Sequence, residues 1–125
     1  MYTQGYNVYK NNSVTYASKN QLLLMLVDGA VKFAKIARQA IVDRDIKKAH
    51  ENIIKTEDIF TELRVSIDQS AGEWAVNMFN IYTFINEKLY QANISKDVKV
   101  MDEVIPLIEE VRDTWYEADK RSRLG

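Results

Sequence analysis

Cysteine is absent from this 125-residue chain, so it offers neither a disulfide nor a thiolate metal ligand. Histidine occurs once, at His50, and one imidazole without cysteine leaves a zinc centre short of ligands. A ferritin-like di-iron site needs Glu-x-x-His on two helices, and here Lys47 stands three residues before the single histidine. One proline and four glycines are too few for turn-rich β structure and favour long helices. The six-residue apolar run Leu22–Val27 falls far short of the roughly 18 residues that span a bilayer. The opening "MYTQGYNVYKNN" has neither the basic start nor the apolar core of a signal peptide, so a cytoplasmic protein is expected. Charge of one sign is also missing. A net charge of −1 and a pI near 5.8 lack the basic footprint of a nucleic-acid binder.

Catalytic patterns are equally scarce. Gly29 and Gly72 stand apart, without the GxxxxGK[ST] spacing that cradles phosphate. The carboxylate pairs at 102–103 and 109–110 fall where solvated helix surface is expected, which speaks for solubility rather than acid/base chemistry. "AHENIIK" (49–55) superficially resembles a histidine phosphotransfer motif. The lysine and glycine that should follow the histidine are replaced by Ile53 and Ile54. The expectation is a protein that is not an enzyme, needs no cofactor and inserts into no membrane.

What is present is helical periodicity. Ser18, with Gln21 three residues on, forms a capping-box signal. From there Leu23, Leu26, Ala30, Phe33, Ala37 and Ile41 recur every three or four positions. Asp45 caps a second helix carrying Ala49, Ile53, Thr56, Phe60, Leu63 and Ile67. "DQSAG" (68–72) is a turn. A third stripe follows as Ala75, Met78, Tyr82, Ile85, Leu89 and Ala92. Asp97 caps the fourth, with Met101, Val104, Ile108, Val111, Trp115 and Ala118. Pro106 should bend this last helix, because it cannot donate to the carbonyl four residues back. These stripes predict an all-α, antiparallel, up-down-up-down four-helix bundle over 18–120, its helices near 18–43, 46–67, 73–93 and 97–118. An extended N-terminal arm (1–17) dotted with tyrosines and a C-terminal tail (119–125) flank it.

Apolar residues exceed what the stripes require. Leu22, Leu24, Met25, Val27 and Val31 lie off the first stripe, and Trp74, Phe79, Ile81, Phe84 and Tyr90 lie off the third. Two broad apolar faces in so small a bundle point to a second interface, either with a partner helix laid in a groove or with another copy of the chain. The arm is long enough to cover such a surface.

The chain also resembles a known family in four blocks that occur in order. "YKNNSVTYAS" (9–18) is similar to the N-terminal segment Tyr-x-x-x-x-Val-x-Thr-Ala-Ser of the FliS flagellar secretion chaperones, with Tyr16 where threonine is usual. "LLLMLVDGAVKF" (22–33) is similar to the family's Leu-x-x-Met-Leu-Tyr-Asp-Gly-Ala-x-x-Phe helix, with Val27 in place of tyrosine. "LYQANISKD" (89–97) and "VRDTWYEA" (111–118) resemble two further blocks. The resemblance implies a cytoplasmic chaperone that binds the C-terminal region of flagellin, prevents its premature polymerisation and assists delivery to the flagellar export gate. A co-chaperone or an anti-sigma factor is a further implied partner, and the protein itself is expected as a monomer or weak homodimer. By position, the resemblance assigns Tyr9 and Val14 to an N-terminal cap. It assigns Leu24, Met25, Val27 and Asp28 to the groove from the first helix, and Tyr82 and Leu89 to the groove from the third. Tyr82 and Leu89 are equally readable as core, and Asp28 either orients a partner amide or pairs with Arg112.

Overall fold

A computed structural model describes residues 19–124 of the chain. Four helices account for nearly all of them: α1 (Lys19–Val42), α2 (Ile46–Ser66), α3 (Glu73–Ser95) and α4 (Val98–Leu124), with a single 3-10 turn at Gln69–Ala71 between α2 and α3. Each helix packs on the next, and α4 closes back on α1. Cross-helix contacts give the direction. Asp28, Lys35 and Arg38 of α1 meet Tyr116, Glu109 and Asp102 of α4, so one series rises in number while the other falls. Asn93 and Asn86 of α3 meet His50 and Thr61 of α2 in the same antiparallel sense. The architecture is the four-helix bundle that the periodicity predicts.

Local chemistry sets the ends. Asp45 accepts the Lys48 backbone N–H at 3.2 Å and so caps α2. Asp97 accepts the Lys99 N–H at 2.9 Å at the start of α4. Lys96 takes a left-handed conformation (φ 51°) that ends α3, and its ammonium bonds the side-chain oxygen of Asn93 at 2.8 Å. The "DQSAG" turn is held by Asp68, whose carboxylate accepts both the backbone N–H and the hydroxyl of Ser70. These bonds pull the Asp68 carboxyl below its usual range. Gly72 has φ 144°, which favours glycine, and a Cβ there would lie 3.2 Å from Trp74 Cδ1.

One helix end differs clearly from the sequence expectation. α4 carries Pro106 in its interior, as expected, and runs on through residues expected as a tail. Glu117–Arg121 and Asp119–Arg123 pairs, each spaced i,i+4, support those last turns. Ala118 is exposed rather than part of the core stripe, and Asp119 turns inward in its place.

The core is one cluster. Phe60 and Tyr82 meet at its centre with ring centroids 5.9 Å apart. Alanines at 30, 34, 37 and 40 are buried along α1, where small side chains let neighbouring backbones approach closely. Buried Asn52 and Thr56 donate to the carbonyls of Lys48 and Asn52, so neither costs an unmade bond. The width of apolar surface on α1 has a plain origin. The helix lies between α2 and α4 and buries Leu24, Val27 and Val31 in addition to its expected stripe.

Candidate functional site

The residues singled out from the sequence divide sharply by burial. Leu24 and Val27 are core, and a valine at 27 suits a site only 1% exposed. Met25 is 52% exposed, on the outside of α1. Asp28 is also exposed, and its carboxylate accepts a 2.6 Å hydrogen bond from the Tyr116 hydroxyl. The Asp28–Arg112 pairing weighed from the sequence is not formed, because Arg112 is turned along α4 to its neighbour Asp113 at 3.0 Å. The Asp28 bond and the nearby carboxylate hold the Tyr116 phenol above its ordinary range. Tyr82 and Leu89 are both buried, facing α2 and α4 from inside the bundle. The structure therefore brings Leu24, Val27, Tyr82 and Leu89 together as core and leaves Met25 and Asp28 at the surface. Tyr9 and Val14 lie outside the described residues.

Surface apolar groups gather instead on α3. Val76, Phe79, Thr83, Asn86, Tyr90 and Ile94 are spaced three or four apart and make one stripe along the helix. Contacts place that stripe beside α2: Asn86 Nδ2 donates to Thr61 Oγ1 at 3.2 Å, and Arg64 lies over the Phe79 ring with 5.9 Å to its centroid. Val76, Tyr90 and Ile94 of this stripe are exposed, as are Ile54 and Val65 on α2. Midway along it, Asn86 Oδ1 is buried with no hydrogen-bond partner among the described residues. A buried acceptor left unpaired costs its desolvation. An amide N–H entering the groove would satisfy it. On the opposite flank of α3, Phe84 is exposed and lies under the Lys88 ammonium, which reaches Glu103 of α4 at 2.9 Å.

α2 also carries a partly buried carboxylate, Glu57. Burial, reinforced by the neighbouring Asp58 carboxylate, holds the Glu57 carboxyl above its ordinary value of 4.5, with His50 opposing. A raised carboxyl favours the protonated form in the folded chain. Its charge therefore weakens folding as pH rises past about 4.5, and the penalty is absent below that. Glu57→Gln should raise the melting temperature slightly at pH 7 and leave it unchanged near pH 4. Thermal melts at the two pH values check this, and equal effects at both would contradict it.

Ile94, Val65 and Tyr116 were not legible from the sequence as surface groups, because nothing in a period distinguishes the outer edge of a stripe from its centre. The excess on the third helix was legible: Trp74, Ile81, Phe84 and Tyr90 are all exposed. Among the described residues no group of His, Asp or Glu is arranged to hold a metal, and no helix is long and apolar enough to cross a membrane.

Comparison with known proteins agrees with this arrangement of helices. The family model described as "Flagellar protein FliS" matches residues 2–122. The flagellar secretion chaperone FliS of Bacillus subtilis is 35% identical over 118 residues, covering 94% of this chain and 88% of that one. Its counterpart in Escherichia coli is 31% identical over 119 residues, covering 93% and 88%. A crystal structure of a bacterial flagellar chaperone superposes with a TM-score of 0.75 over 95% of this chain and 98% of that one, and its 15% identity supports the fold alone. With a family match along almost its whole length and relatives above 30% identity, the chain belongs to the FliS family of flagellar proteins.

Proposed function

We propose that the protein works in the cytoplasm as a chaperone for flagellin, holding flagellin's C-terminal region and escorting it to the flagellar export gate. Family membership makes it a flagellar export chaperone rather than an enzyme, so its work is binding, with no bond made or broken. The observation that carries the flagellin reading is the apolar stripe on α3 beside α2, with an unpaired amide oxygen at its middle. Such a groove suits an amphipathic helix, whose apolar anchors at i, i+3 or i+4 fill the stripe. Met25 and Asp28, exposed on α1 with Asp28 at its α4 side, form a second contact patch for a segment that wraps round the bundle, while Leu24, Val27, Tyr82 and Leu89 are buried behind these surfaces. Each anchor of Leu or Met size contributes about 1.5–3 kcal/mol on burial. A handful of them offsets ordering costs of about 4–15 kcal/mol and leaves useful affinity. A flagellin surface held this way is no longer available to another flagellin. The Tyr9–Val14 cap, a co-chaperone and an anti-sigma factor belong to the same proposal as competitors for, or additions to, this surface.

The test is calorimetric titration with a peptide from the flagellin C-terminus of the same cell, about 40 residues long and able to run past two such helices. One-to-one binding with a negative heat-capacity change is expected. Met25→Asp should weaken it about tenfold, the loss of one partly buried anchor. Leu24→Asp is the wrong probe, since it puts a charge into the core. Absence of a complex at tens of micromolar by the Kd scale removes flagellin as the partner. Self-association, read from concentration-dependent mass, is then the next reading of the same surface.

A further inference from the structure

At the end of the bundle where α2 finishes and α3 begins, a cavity of about 220 Å³ opens between all four helices. Its walls are mostly apolar, from Leu23 of α1, Leu63 and Ile67 at the end of α2, Trp74 and Tyr82 of α3 and Trp115 of α4, with Ser66 and Asp68 as the polar part of the lining. An apolar protein cavity of about 150 Å³ holds a benzene molecule, so this one has room for a side chain of leucine to phenylalanine size. Trp115 stands edge-on to Trp74, centroids 6.2 Å apart at 76°. Trp74 is half exposed at the mouth, set there by the turn that Gly72 makes.

Tyr82 supplies an independent sign of a ligand. It is 1% exposed, and its hydroxyl accepts a 2.8 Å hydrogen bond from Trp115 Nε1. The hydroxyl's own proton meets no acceptor among the described residues. Burial pushes this phenol up to about 12, so it remains a donor throughout the physiological range. A buried donor at the wall of an apolar cavity calls for an oxygen beside an apolar group.

The cavity lies at the end of the bundle where the α3 stripe begins. Ser66 on its rim follows exposed Val65, while Trp74, two residues before exposed Val76, stands on the other side of α3 against Trp115. A segment that leaves the groove at this end and turns over the 67–73 connection reaches the mouth of the cavity.

We propose that this end cavity is an anchor pocket: it receives one apolar side chain from the bound flagellin segment, and Tyr82 donates to a carbonyl oxygen next to that side chain. The inference rests on the flagellin reading above. The groove supplies length of contact, and the pocket fixes where along it the segment stops.

Both tryptophans of the chain line this cavity, so intrinsic emission reports its occupancy without a label. The experiment titrates the unmodified chain, and a Ser66→Phe variant whose ring fills the cavity from its exposed rim, with a tryptophan-free C-terminal flagellin peptide. Emission should shift in step with the calorimetric isotherm, acrylamide quenching should fall, and Ser66→Phe should weaken binding at least about tenfold. If circular dichroism shows that Ser66→Phe does not fold, Trp74→Ala at the exposed mouth takes its place. A complex that forms with unmoved emission and an affinity unchanged in the variant overturns the pocket while the groove stands. No complex with the unmodified chain overturns both.

Discussion

Leu89→Ala will cost about 2–5 kcal/mol of folding stability, the range for a leucine truncated inside a packed core. Leu89 is 0% exposed and belongs to the single core cluster with Tyr82, Ile85 and Met101. The neighbouring helices cannot collapse onto the gap without losing contacts elsewhere, so transfer and cavity penalties add. Against the roughly 5–15 kcal/mol that holds a domain of this size together, that is a large fraction. Urea unfolding followed by circular dichroism should show a lower midpoint with an unchanged slope. A loss under about 1 kcal/mol, together with weakened flagellin binding, would make Leu89 a contact residue and sink its place in the core.

The adjacent position should behave in the opposite way. Tyr90 is 61% exposed and Ile94, one turn on, is 68% exposed, on the same face of α3. Tyr90→Lys combined with Ile94→Lys should leave stability within about 0.5 kcal/mol per site. Lysine is a good helix former, and cations are favourable near the C-terminal turn where Ile94 sits. Binding is another matter. Two anchors of about 1.5–3 kcal/mol each are lost, so affinity for the flagellin peptide should fall at least about 100-fold. A double variant that folds and binds as tightly as the unmodified chain would move the site away from the α2/α3 groove. The contrast between 89 and 90 uses one residue of separation, about 100° around the helix, to separate folding from binding.

Much of this was legible in the chain. Asp45 and Asp97 cap the helices they were expected to cap, because a carboxylate one residue before a helix satisfies backbone N–H groups that nothing else reaches. Ala49, Ile53, Thr56, Phe60 and Leu63 form the buried stripe of α2 as their spacing predicts. The candidate site was less legible. Leu24, Val27, Tyr82 and Leu89 were all compatible with a groove, and all four are core. Periodicity says that a residue is apolar and on a given face. It does not say how many neighbours that face has.

The sequence by itself determined the helices, the order in which they come, and the capping groups at their ends. Each of these follows from local matters: residue type, spacing along the chain and capping groups within three or four positions. Only the tertiary structure decided which apolar residues are surplus. α1 consumes Leu24, Val27 and Val31 in its packing on α2 and α4, whereas α3, which also packs on two helices, leaves Val76, Tyr90 and Ile94 uncovered beside α2. The same is true of the end cavity. Leu23, Leu63, Trp74, Tyr82 and Trp115 come from four different helices, and only the closing of the ring brings two indoles and a buried hydroxyl around one space.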